Sequence, residues 1–173
     1  MPITLNTPKS KITSYIVERI KRMEQVLVSR LCYIGEQCVN HARNLPSPNV
    51  ADYNDLPKIP PHQPNYIDWT GNLRSSIGYV VSVDGEIVNE SRFEPIKGGT
   101  EGAAQGREYA ESLVSQYPKG ICLIVVAGMR YAEYVTEMRH AKYAAARGYD
   151  VIDSAELLAR QLVPQMLKQL GLQ

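Results

Sequence analysis

Nine apolar residues fall in steps of three or four along one stretch of the chain: Ile12, Ile16, Ile20, Met23, Leu27, Leu31, Ile34, Cys38 and Ala42. That spacing puts them on one face of an α-helix. Glu18, Lys21, Arg22, Glu24, Gln25 and Ser29 fall largely on the other faces. An amphipathic helix gains most of its stability from the surface it packs on, so the fold must supply one. Thr7 is placed to cap the helix and Pro8 to take its first position, where a missing N–H is no loss. Running unbroken to Arg43, the helix would span about 50 Å at 1.5 Å per residue. That is long for a chain of 173 residues. It therefore either overhangs its own core and meets a neighbour or bends near Gly35, where helix preference is weakest.

Residues 44–66 contain Pro46, Pro48, Pro57, Pro60, Pro61 and Pro64, which block both helix propagation and sheet ladders. This is a loop or extended arm, and its length points to a use beyond connection. Pro57-Lys58-Ile59-Pro60 fits a P-x-x-P ligand but reads more simply as part of a stiff connector. Nothing else divides the chain, which is expected to form a single domain over residues 1–173.

Beyond the arm the apolar period changes to two. Residues 77–83 and 86–93 read as strands joined at Asp84-Gly85, a strong hairpin signal. A helix is expected over residues 101–117, with Ala103, Ala110, Leu113, Val114 and Tyr117 on one side and Pro118 ending it. Residues 120–128 form the most apolar run and read as a central strand. A helix over 131–147 closes at Gly148, residues 149–152 form a short strand, and Asp153 with Glu156 makes a capping box for a last helix. That helix carries Leu157, Leu158, Leu162, Met166 and Leu170, and Pro164 is expected to kink or shorten it. The order suits an α+β fold, with the long N-terminal helix and further helices packed on one face of a small antiparallel sheet.

The residues offer little chemistry. Lys plus Arg total 19 against 18 Asp plus Glu, so no global field draws the chain to DNA or an anionic membrane. Cys32, Cys38 and Cys122 are odd in number and lack metal-ligand spacing, which argues against a disulfide framework and for folding in a reducing cytoplasm. No leader-like N-terminus or membrane-length apolar run is present, so a soluble, unprocessed chain is expected. His41, His62 and His140 are scattered and fit no zinc motif. Ser75 and Ser76 sit in no nucleophile elbow, and Cys122 reads as a core thiol. Gly98-Gly99-Thr100-Glu101-Gly102 lacks the Walker lysine and reads as a turn. No catalytic centre, cofactor site or metal site is expected. Eleven tyrosines against one phenylalanine favour surfaces that are covered part of the time.

Asp68-Trp69-Thr70-Gly71-Asn72-Leu73-Arg74-Ser75-Ser76-Ile77 follows a D-x-T-G-x-L-R-x-S-I pattern, and Tyr131-Ala132-Glu133-Tyr134-Val135 follows Y-A-x-Y-V. In both the chain resembles the small phage head-tail joining proteins, neck or tail-completion proteins of the lambda minor tail protein Z type. The likeness runs loosely from the first helix to the last. The chain departs from the pattern after Val135, where Y-A-x-Y-V is normally followed almost at once by Glu and a glycine turn. Here residues 136–147 read as a helical extension inserted before Gly148.

The resemblance implies a structural virion protein, not an enzyme. It would form a ring between the portal-bound connector and the tail tube, assembled in the host bacterial cytoplasm. Its implied partners are further copies of itself and the neighbouring connector and tail proteins, with genome DNA passing through the ring without sequence-specific binding. Tyr66, Trp69, Leu73, Arg74, Tyr131 and Tyr134 are the interface candidates. Two other readings remain open: another ring component such as a tail terminator or head-tail connector protein, and a small phage hydrolase with a dispersed active site.

Overall fold

The computed structural model describes residues 8–46, 66–137 and 150–172. Helix α1 (Lys9–Arg43) is followed by a single helical turn, α2 (Asn72–Ser75), and strands β1 (Ile77–Val83) and β2 (Glu86–Glu90). Helix α3 (Thr100–Val114), strand β3 (Ile121–Ala127) and helices α4 (Ala132–Glu137) and α5 (Asp153–Gln169) complete the order. The fold is α+β, with a long N-terminal helix and further helices on a three-stranded antiparallel sheet of order β2-β1-β3. Asp84 and Gly85 both have positive φ, 49° and 83°, the tight-turn geometry that matches strand twist.

Alternation along β1 builds two cores. Ile77, Tyr79 and Val81 face Leu31, Ile34, Cys38 and Ala42 of α1 and Met166 of α5. Val80 faces the other way, into a smaller core with Phe93, Ala110, Val114 and Val126 beneath α3. Helices therefore cover both faces of the sheet, where one covered face was expected. The second cover is hard to read because α3 buries small residues, Gly102, Gly106 and Ala110, rather than a run of large ones.

The central strand is β1, not the apolar segment 120–128 that was expected there. Gly78 leaves room on the α3 face of β1 for Phe93, whose Cε1 lies 2.2 Å from where a Cβ would stand. Among the described residues β3 pairs only with β1. β2 ends at Glu90 instead of continuing to Phe93, because Phe93 adopts φ of 47° to turn its ring onto Gly78.

α1 is uninterrupted, and Gly35 serves close packing instead of a bend. A Cβ there would fall 2.7 Å from ring carbons of Tyr79. The buried residues of α1 begin only at Leu31. Ile16 and Ile20 are exposed, Ile20 by 60%, so the N-terminal half overhangs the core, as the first of the two alternatives expected, and the stripe is not buried along its whole length. The stripe nevertheless keeps one phase throughout. Ile12, Met23 and Ile34, then Ile16, Leu27 and Cys38, then Ile20, Leu31 and Ala42, are related by an 11-residue repeat, which holds a nearly constant face on an α-helix.

Several helix ends differ from expectation. Pro8 lies one residue before α1, its carbonyl accepting from the Lys11 and Ile12 amides. Ile152 occupies the N-cap of α5, and the Asp150 carboxylate accepts from the Ser154 amide at 3.1 Å, so Asp153 does not cap the helix. Asp153 lies in the first turn, where its charge still favours the helix dipole. Residues 150–152 form a bend where a strand was expected, with Val151 buried. α5 continues through Pro164 to Gln169. Leu157 and Tyr117, expected in the core, are exposed. The Thr7 cap, arm residues 47–65 and the inserted segment 138–147 lie outside the described residues.

Candidate functional site

The motif at residues 68–77 is a structural hub at the N-terminal end of β1. The Asp68 carboxylate accepts from the Arg74 amide at 2.8 Å, and Thr70 Oγ1 accepts from the Asn72 amide at 3.2 Å. Gly71 has φ of 77°, and a Cβ there would lie 1.8 Å from the Ile96 carbonyl oxygen. No other residue fits that position. Ser75 Oγ donates to the Gly71 carbonyl at 2.6 Å and accepts from the Ile96 amide at 2.7 Å. Ser76 Oγ donates to the Leu73 carbonyl at 2.8 Å and accepts from the Met129 amide at 3.2 Å.

The glycine turn at residues 98–102 closes on this hub. Asn72 Oδ1 accepts from the Gly102 amide at 3.2 Å. Side-chain carbons at Gly99 or Gly102 would collide with the backbone of Gly71 or Asn72. The G-x-x-x-G-x-x-x-A spacing of Gly102, Gly106 and Ala110 signals such a close approach and was missed from the sequence. It lets the α3 backbone lie against α2 and Ser76.

The hub divides the six interface candidates. Tyr66 and Leu73 are interior, 5% and 2% exposed, because the α1 end and the sheet close over them. Arg74 is committed within the chain. Its guanidinium donates to the Arg43 and Leu45 carbonyls at 2.8 and 2.6 Å and stacks 5.5 Å from the Tyr66 ring centroid. Exposed at this end are Trp69 (39%), Tyr131 (39%) and Tyr134 (63%). Tyr131 stands beside Thr70, and burial first and then the Asp68 carboxylate push its phenol up, with Thr70 acting in the opposite direction. The two sequence motifs thus meet in space, and Tyr134 lies one helical turn further along α4.

The described residues present one contact between a nucleophile and a base. His41 Nε2 lies 2.8 Å from Ser154 Oγ, joining the last turn of α1 to the first turn of α5. His41 is exposed and no carboxylate is hydrogen-bonded to its ring among the described contacts, so the pair reads as a tie between helix ends. Burial pushes the Cys32 and Cys38 thiols up, opposite to the direction that activates a thiolate. Cys32, Cys38 and Cys122 are free, and no described group of three His, Cys, Asp or Glu could hold a metal ion. No described helix is long and apolar enough to cross a membrane. His62 and His140 lie outside the described residues.

No family model, curated protein or solved structure matches the chain.

Proposed function

We propose that the chain is a structural virion protein of a tailed phage or prophage, forming part of a ring at the head-tail junction. The observation that carries this reading is the overhang of α1, which exposes Ile16 and Ile20 in phase with a stripe that is buried from Leu31 onward. Such a face needs a cover from another molecule. The exposed Trp69, Tyr131 and Tyr134 supply a second surface of the kind found at interfaces. The second surface belongs to the two motifs through which the chain resembles neck and tail-completion proteins.

The test is genetic complementation. A phage lacking this gene should accumulate filled heads and finished tails that stay unjoined, and the wild-type gene supplied in trans should restore joined, infectious particles. Normal joining in the null phage would overturn the reading. Tails of uncontrolled length would assign the chain to tail termination instead.

A further inference from the structure

The uncovered half of α1 carries a charge that identifies its cover. From Lys9 to Arg30 there are six basic residues, Lys9, Lys11, Arg19, Lys21, Arg22 and Arg30, against Glu18 and Glu24, a formal +4. The whole chain is +1, so the remainder is acidic by difference, −3. Tyr15, Arg19, Arg22 and Val26 recur at helical spacing beside the Ile12, Ile16, Ile20 stripe. Tyr15 and Val26 are exposed, as are Ile16 and Ile20. This is a mixed basic and apolar ridge, and it calls for an acidic surface with apolar content.

That surface is present elsewhere on the same fold. Residues 86–114 hold six glutamates, Glu86, Glu90, Glu94, Glu101, Glu108 and Glu111, against Arg92, Lys97 and Arg107, a formal −3. β2 is an edge strand with Ile87 and Val88 exposed. Arg107 on α3 bridges to Glu90 on β2 at 3.0 Å, which makes the strand and helix one continuous surface. α1 and α3 cover opposite faces of the sheet, and although α1 touches β2 of its own chain, Ile16 and Ile20 stay exposed, so the chain's own β2–α3 surface does not cover the ridge.

We propose that the overhanging half of α1 docks on the β2–α3 surface of a second copy of this chain, head to tail. Pairing of two overhangs would oppose +4 with +4, whereas docking on β2–α3 meets the charge and covers Ile16 and Ile20 together. Two different patches meet in such a contact, so it propagates from copy to copy and closes into a ring where the rotation permits. The inference rests on the assembly reading above and names its occupant.

The experiment uses the full chain in sedimentation velocity at low and high salt. Wild type should self-associate, more weakly at high salt. Arg19→Glu with Arg22→Glu should abolish association, as should Glu86→Lys with Glu108→Lys, each with an unchanged circular dichroism spectrum. Ile20→Ser should weaken it on the order of tenfold or more. Mixing the two charge-reversed proteins should restore association, because the unchanged ridge of one meets the unchanged β2–α3 surface of the other. A wild-type chain that stays monomeric overturns the proposal, including one that binds a short DNA duplex or an anionic vesicle through Arg19 and Arg22. Full association by the Glu86→Lys, Glu108→Lys protein also overturns it, in favour of paired overhangs. In infected cells the two readings separate. If the variants behave as expected in solution yet heads and tails join normally, the virion reading fails and the contact stands. If wild type is monomeric yet Arg19→Glu, Arg22→Glu leaves heads and tails unjoined, the virion reading stands and this contact fails.

Discussion

Arg43 and Arg74 each hold the segment that carries the other. Arg43 Nε and NH2 donate to the Ile77 carbonyl at 3.1 and 2.7 Å, pinning the end of α1 to the start of β1. Arg74, just before β1, returns two donors to the Arg43 and Leu45 carbonyls. A lysine cannot reproduce either fork, since its ammonium is a point charge without a planar face to lie on Tyr66. Arg74→Lys should therefore lower stability by about 2 kcal/mol or more, read as a fall in the urea midpoint without a change in slope.

Glycine tolerance should divide along the hub. Gly102→Ala would set a carbon 2.0 Å from the Asn72 carbonyl oxygen, a backbone atom that cannot turn aside. This variant should fail to fold or lose several kcal/mol. Gly98→Ala meets nothing within 4 Å but must adopt φ near 83°, so it should lose only about 1 kcal/mol. Thermal melts of the two proteins check the contrast.

The stripe of α1 should behave as two halves. Ile34→Ala, in the main core, should cost about 2 to 5 kcal/mol. Ile20→Ala in a monomeric sample should change stability by no more than about 0.5 kcal/mol. Denaturant titrations at low protein concentration and high salt measure both without assembly intervening.

Alkaline stability should follow Tyr66. Burial pushes its phenol up to about 12 from an ordinary 10.0, and Tyr79 is raised too, by burial first and then by the Glu36 carboxylate. A raised phenol means that folding favours the neutral form. Its contribution is complete below pH 10 and is lost as pH rises through the folded value. For Tyr66 this amounts to about 2 to 3 kcal/mol. Denaturant midpoints should fall from pH 10 upward, and Tyr66→Phe should make that fall shallower.

His41→Ala and Ser154→Ala should each cost about 1 kcal/mol, with a coupling of similar size in a double-mutant cycle. An active-site serine probe, such as a fluorophosphonate, should leave Ser154 unlabelled in the wild-type chain. Stoichiometric labelling that requires His41 would restore the hydrolase reading.

Local signals carried the element order into the structure, while tertiary partners decided the rest. The α1 stripe, the Asp84-Gly85 turn and the strands at residues 77–83 and 121–127 are written in periodicity and turn chemistry. The burial of Tyr66 and the inward turn of the half-buried Arg74 are not, because a tyrosine or arginine turns inward only when distant groups receive its polar end. For Arg74 those groups are the backbone carbonyls of Arg43 and Leu45, which carry no residue-type signature. The cover of α3 on the sheet was hidden for the opposite reason: glycines make close approach possible without adding apolar weight to the pattern. Within the candidate site, Tyr131 and Trp69 stood out as aromatics, but the meeting of Tyr131 with Thr70 depends on β3 ending beside the start of β1, Ala127 opposite Ile77.

The 11-residue phase of α1 makes its free half a ruler as well as a contact. One residue added near Ser14 would leave the domain below intact yet turn every earlier side chain by about 100° and advance it by about 1.5 Å. Eleven residues added there would lengthen the projection by about 16 Å while returning nearly the same side to the partner. Reach and facing are therefore set separately in this helix, one by how many residues it holds and the other by that number's remainder against the repeat.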